Sequence, residues 1–247
     1  MRYKIVDQRQ QRVDKEVEKE RRKFVYGTYI ITLIDVLIML GIAFYSVKNN
    51  RLISFENIMK YIIIYFILYR GSWFFTKKIY NYKVFSTITN IYYILGTLIN
   101  NILFGMLMGI AFQAIIEIGN GEQIIPAILT VILVYMYSIF SNMSEFLKKN
   151  KKIVVWGMLG IYICQLFIVK GKLLTLIVDI VAVIFSILEL KIDVKEVPNE
   201  FEYLTNNGKR REINLLPFMV QQAEILHLDI LFTILEILKL GLDSDDD

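Results

Sequence analysis

The feature of this sequence that most narrows what it can fold into is a series of apolar runs bounded by charges, each long enough to cross a lipid bilayer. A hydrocarbon core about 30 Å thick is crossed by about 20 helical residues rising about 1.5 Å each. Six runs meet that measure: 25–46, 58–75, one within 84–116, 124–141, 153–169 and 173–190. Hydrophobic residues make up 55% of the 247 residues, above the roughly 45–50% of a water-soluble domain, so the excess must face something other than water. The expected fold is an all-α membrane protein: a charged cytoplasmic juxtamembrane helix (1–24), a six-helix transmembrane bundle (25–190) and an acidic cytoplasmic tail (191–247).

Charge placement gives an independent reading of orientation. From Phe24 to Leu190 there are 13 Lys+Arg and 7 Asp+Glu, most of them in short clusters between apolar runs. Short cytoplasmic loops are richer in Lys and Arg than external ones. Here the clusters alternate: Arg21, Arg22 and Lys23 end the head, Lys77, Lys78 and Lys83 fill the second loop, and Lys148, Lys149, Lys151 and Lys152 fill the fourth. The first and fifth loops carry only Lys48 with Arg51 and Lys170 with Lys172, and the third carries none. This predicts a multi-pass protein of the cell membrane with both termini cytoplasmic. The basic residues sit beside spans rather than on one exposed face, so anionic lipid headgroups are the expected partner of Arg21, Arg22, Lys23, Lys148, Lys149, Lys151 and Lys152, and nucleic acid is set aside. No cleavable secretory signal is expected, because the first apolar run follows a long charged segment.

The third run, 84–116, is longer than a perpendicular span needs and is read as a span with a cytoplasmic extension around Thr87 to Asn90. Within it Gly105 and Gly109 form a small-xxx-small step suited to close helix packing, and Asn100 and Asn101 can bond across helices.

The two ends differ in character. The head pairs Glu16 with Lys19, Glu18 with Arg22 and Glu20 with Lys23 at helical spacing, with a thin apolar stripe of Ile5, Val6, Val13, Val17 and Phe24. In the tail, Phe201 to Thr205 and Arg210 to Leu215 flank Asn207-Gly208, which predicts a β-hairpin. After Pro217, the stretch 218–240 is apolar but carries Gln222, Asp229 and Glu236 at steps of seven, with Glu224, His227 and Lys239 besides. On an insertion scale a central Asp costs about 2.5–3.5 kcal/mol while each Leu or Ile returns about 0.3–0.6. The expectation is therefore an amphipathic helix on the inner membrane surface or docked on the bundle, with His227 on its polar side. The closing Asp243 to Asp247 run is read as a solvated acidic end, since contiguous carboxylates without a shaped loop chelate poorly.

Ionisable residues inside spans are expensive and frequently functional. Asp35 lies near the centre of the first span and Asp179 inside the sixth, while Arg70 lies near the cytoplasmic end of the second. Two arrangements fit: a structural pair of Asp35 with Arg70, with Gln165 or Asn100 close by, or a water-accessible path in which Asp35 and Asp179 bind a cation or proton. Enzyme chemistry is not expected. There is one His, one Cys, no HExxH, no G-x-S-x-G and no phosphate-cradling Gly loop. Cys164, inside an apolar run, reads as a small buried hydrophobe, and neither a metal nor a cofactor is expected.

The opening Lys4-Ile5-Val6-Asp7-Gln8-Arg9-Gln10, followed by a charged helix and an apolar span, resembles the start of uncharacterised small multi-pass membrane proteins of Gram-positive bacteria. Those begin with a Lys-Ile-x-Asp-Glu-Arg stretch, from which Gln8 departs. The resemblance covers the head alone and implies no activity. Two functional expectations follow from the whole reading. The first is a bacterial membrane protein that acts by binding a membrane protein partner, as an accessory subunit or an immunity protein, because interior charge is sparse and the cytoplasmic ends are sizeable. The second is a small transporter or channel that uses Asp35 and Asp179.

Overall fold

The computed structural model describes residues 2–49, 59–60, 63–64, 67, 86–167, 172–207 and 215–244. They form α1 (Arg2–Lys48), α2 (Ser86–Glu117), a 3-10 turn (Gly121–Gln123), α3 (Ile124–Phe140), α4 (Glu145–Phe167), α5 (Lys172–Asn207) and α6 (Leu216–Ser244). No strand occurs among the described residues. Three helices among them are long and apolar enough to cross a membrane, over Lys15–Lys48, Asn90–Glu117 and Gly121–Phe140. Most of the second predicted span, Arg70 included, lies outside the described residues; its Met59, Lys60, Ile63, Ile64 and Ile67 are helical.

Each of these helices is apolar on both its faces. In α1, Val36, Met39, Leu40 and Ala43 are buried while Ile30, Ile34, Leu37 and Phe44 are exposed, Leu37 by 65%. In α3, Val131 and Tyr135 are buried, yet Leu133 and Phe140 are 68% and 78% exposed. Outward apolar stripes of this extent mark a surface matched to lipid or to a partner rather than to water.

Close backbone packing joins α1 to α2, which run parallel. A methyl group added at Gly105 would lie 2.7 Å from Ile42 Cβ and 2.8 Å from the Met39 carbonyl oxygen, and one at Gly109 would lie 2.8 Å from Ser46 Cβ. The absence of side chains at these two positions lets the backbones approach.

A proline shapes the packing of α5 on α1. Pro198 lies inside α5 and has no N–H to give the carbonyl of Val194, four residues earlier. The hydroxyl of Tyr29 on α1 donates to that oxygen at 2.8 Å, and both residues are buried. Tyr29→Phe should therefore leave a buried carbonyl unpaired and cost about 1–2 kcal/mol. In a Pro198→Ala background the restored N–H should remove most of that cost. Reversible denaturation in mixed micelles measures both, and an equal loss in the two backgrounds would refute the assignment.

One feature of the tail differs from the sequence expectation. The first predicted hairpin strand is helical: Phe201–Thr205 belongs to α5, which runs on to Asn207. Val194, Val197 and Phe201 are buried at helical spacing, and Phe201 stacks on Phe24 with ring centroids 5.7 Å apart. Arg21 reaches Glu202 at 3.5 Å, so the head of α1 and the end of α5 travel together. Asn-Gly ends a helix as readily as it turns a hairpin, and here Asn207 is the last helical residue. The second predicted strand, 210–215, lies outside the described residues except for Leu215, which is irregular.

The helix after Pro217 docks on the other helices, the second of the two placements expected for it. Rather than staying at the end where α1 meets its charged head, α6 runs parallel to α1 along its length. Its Met219 lies against Gly27, its His227 against Met39, and its Leu238 and Leu240 share a groove with Glu122 and Gln123 of the turn between α2 and α3. The insertion cost of its charges applies to a helix facing lipid alone; in the fold Glu224 meets Thr97 of α2, and Asp229 and Lys239 meet Asp193 and Asp179 of α5.

Candidate interior polar site

The site is a seam of polar side chains around α6, built where α2 and α6 each repeat polar residues every three or four positions. Along α2 these are Tyr93, Thr97, Asn100 and Asn101; along α6 they are Gln221, Glu224 and His227. The registers match: Gln221 Nε2 donates to the Tyr93 hydroxyl at 3.2 Å, and Thr97 Oγ1 donates to Glu224 Oε1 at 3.4 Å. One turn further, His227 is wholly buried, with Nε2 3.0 Å from Met39 Sδ and its ring edge-on to Phe104 at 6.3 Å. His227 is therefore packed in the interior rather than presented at the surface.

Asp35 of α1 enters the same seam. Asn101 Nδ2 donates to Asp35 Oδ1 at 2.9 Å, and the Glu224 carboxyl lies within electrostatic range of Asp35. Asp35, Asn100 and Asn101 are 4%, 1% and 0% exposed. Four of their atoms and their neighbour's are buried with no hydrogen-bond partner among the described residues: Asp35 Oδ2, Asn100 Oδ1, Asn101 Oδ1 and His227 Nδ1. Buried polar atoms are rarely left so, and each such case calls for a reason.

The other face of α6 meets α5. Lys239 Nζ donates to Asp179 Oδ1 at 2.6 Å, with Asp179 fully buried and the lysine part-exposed. Towards the charged end of α1, Asp229 hydrogen-bonds Asp193, and Glu189 adds a third carboxyl in electrostatic range. No group of three or more His, Cys, Asp or Glu among the described residues is arranged to hold a metal ion.

Asp35 and Asp179 thus occupy different interfaces, Asp35 between α1 and α2 and Asp179 between α5 and α6. The Asp35 and Arg70 pairing falls outside the described residues. Sequence reading missed Tyr93, Thr97, Gln221, Glu224 and Lys239 as members of the interior. Their signal was the three-and-four spacing of polar residues on two apolar helices, which matters only once the helices are known to face each other.

The basic residues assigned to headgroups are partly engaged within the chain. Arg22 Nε donates to Glu18 at 2.9 Å, and this bond holds the Glu18 carboxyl below its ordinary pKa. Lys148 pairs with Glu145 at 2.9 Å, and Lys151 pairs with Glu196 of α5. Lys149 and Lys152 are exposed. The α4 backbone leaves helical geometry at Asn150, with φ −111° and ψ 20°, in the middle of this lysine cluster. A kink there lets the cluster take a different direction from the apolar length that follows.

At the Lys48 end of α1 a groove of about 710 Å³ opens between α3, α5 and α6, lined by Glu122, Pro126, Thr130, Leu176 and Leu238 among others. Compared with known proteins, the chain matches no family model, no curated protein and no solved structure.

Proposed function

We propose that the chain is a multi-pass protein of the bacterial cell membrane, with the six apolar runs as spans, the basic loops cytoplasmic and α6 threaded among the spans as an interior helix. On this reading its function is that of a small transporter or channel for a proton or a small cation. The observation that carries it is the run of ionisable groups along α6: Glu224 meets Thr97 and lies near Asp35, Asp229 bonds Asp193, Lys239 pairs with the buried Asp179, and His227 and Glu236 are buried. Ionisable groups held in the interior of a membrane protein mark ion and proton paths more often than packing. A pure binding role draws on sparse interior charge, whereas α6 adds ionisable groups to the interior.

The termini follow from the same placement. With the head of α1 cytoplasmic, α6 would carry the acidic end to the opposite face. That differs from the two cytoplasmic termini suggested by the loop charges alone.

A flux assay tests the reading. Purified protein in liposomes should pass protons or alkali cations down a gradient at a rate well above empty vesicles, and Asp35→Asn should reduce that rate at least tenfold. Rates equal to empty vesicles for protons, sodium and potassium would defeat it.

The binding role retains one specific support. The head of α1 and the end of α5 extend together, joined by Arg21 with Glu202 and Phe24 with Phe201, which makes a two-helix platform suited to a partner. Mild-detergent co-purification that depends on Arg21 and Glu202 would favour this reading.

A further inference from the structure

We propose that Asp35, Asn100 and Asn101 form a binding site for one monovalent alkali cation at the α1 and α2 contact. The inference deepens the transport reading and rests on it for its biological role, though the binding itself is measured separately.

The donor set is the first argument. Three oxygens, Asp35 Oδ2, Asn100 Oδ1 and Asn101 Oδ1, are buried with no hydrogen-bond partner among the described residues. All three are carboxylate or amide oxygens, the donor type that coordinates hard cations. The Asn101 amide uses its Nδ2 to fix Asp35 Oδ1 at 2.9 Å, which orients the carboxylate and leaves Oδ2 free to ligate.

Charge is the second. A lone carboxylate in an apolar interior is costly unless neutralised. One carboxylate and one monovalent cation are neutral together. A divalent ion would need a second carboxylate; Glu224 lies in electrostatic range, but none of its oxygens is among the buried atoms without a partner.

The surroundings are the third. One turn beyond Asn101, Gly105 brings the two backbones so close that a methyl group would touch the Met39 carbonyl oxygen at 2.8 Å. Backbones packed this closely hold the ligands in place before the ion arrives.

The test is thermal unfolding of the purified full chain in detergent at constant ionic strength, in lithium, sodium or potassium chloride against choline chloride. At saturation, at least one alkali cation should raise the wild-type Tm by about 5 °C relative to choline. Asp35→Asn should lose that shift. Asn100→Ala, which keeps the Asp35 and Asn101 bond, should retain the fold and need at least tenfold more salt for half the shift. Identical wild-type melting in all four salts overturns the site, as does a shift that survives in either variant unchanged. A Tm that responds to pH and not to cation overturns it in favour of a proton. Cation-dependent stabilisation without flux keeps the site and removes the transport reading; flux that Asp35→Asn abolishes, with no cation-dependent shift, removes the site alone.

Discussion

Lys239→Met should destabilise the folded protein by about 3 kcal/mol, and adding Asp179→Leu to the same chain should recover most of that loss. The asymmetry follows from where the charges sit. Asp179 is fully buried, and its Oδ1 accepts from Lys239 Nζ at 2.6 Å. Removing only the lysine leaves a carboxylate in the interior to shed its charge or bear the desolvation cost, whereas removing both leaves an apolar contact. The lysine is 43% exposed, so its own desolvation is incomplete and the reverse single change, Asp179→Leu, should cost less. Denaturation of the four chains in mixed micelles completes the cycle. A Lys239→Met loss below about 0.5 kcal/mol, the range of an exposed pair, would mean that the pair is not part of the interior.

Gly105→Ala should cost about 1–3 kcal/mol, an overpacking penalty, although alanine is the better helix former. The added methyl would meet Ile42 Cβ at 2.7 Å and the Met39 carbonyl at 2.8 Å, and the second of these is backbone that cannot swing aside. Gly41 and Gly96 provide the control, since a methyl group at either meets nothing within 4 Å. Gly41→Ala and Gly96→Ala should be neutral or slightly stabilising. If all three changes behave alike in a denaturation series, the close approach of α1 and α2 is wrong.

Particular residues show why part of this structure was readable in advance. The long helices over Lys15–Lys48, Asn90–Glu117 and Gly121–Phe140 were visible because an apolar run of that length has few other outcomes. Asp35, Asn100, Asn101 and Asp179 stood out as polar groups within such runs, and all four are buried. Their partners were not readable. Asp35 meets Asn101, 66 residues away, and Asp179 meets Lys239, 60 residues away; such pairings depend on helix register, which a pattern along one chain does not contain.

The tail shows a different failure. Asn207-Gly208 was given the meaning it has between strands, although Val194, Val197, Phe201 and Leu204 already followed helical spacing up to it. For α6, the penalty for burying Asp229 and Glu236 was reckoned against lipid. The relevant comparison was with an interior in which Asp193 bonds Asp229 and Asp179 bonds Lys239.

The account depends most on α6 crossing the membrane among the spans. Cysteine labelling in intact cells tests this directly, with Cys164→Ala as background and single Ser244→Cys and Lys15→Cys variants. An impermeant maleimide should label Ser244→Cys from outside and reach Lys15→Cys only after the membrane is opened. If both positions are labelled only after opening, the two ends share one side, α6 does not cross, and the interior site built around it falls with it.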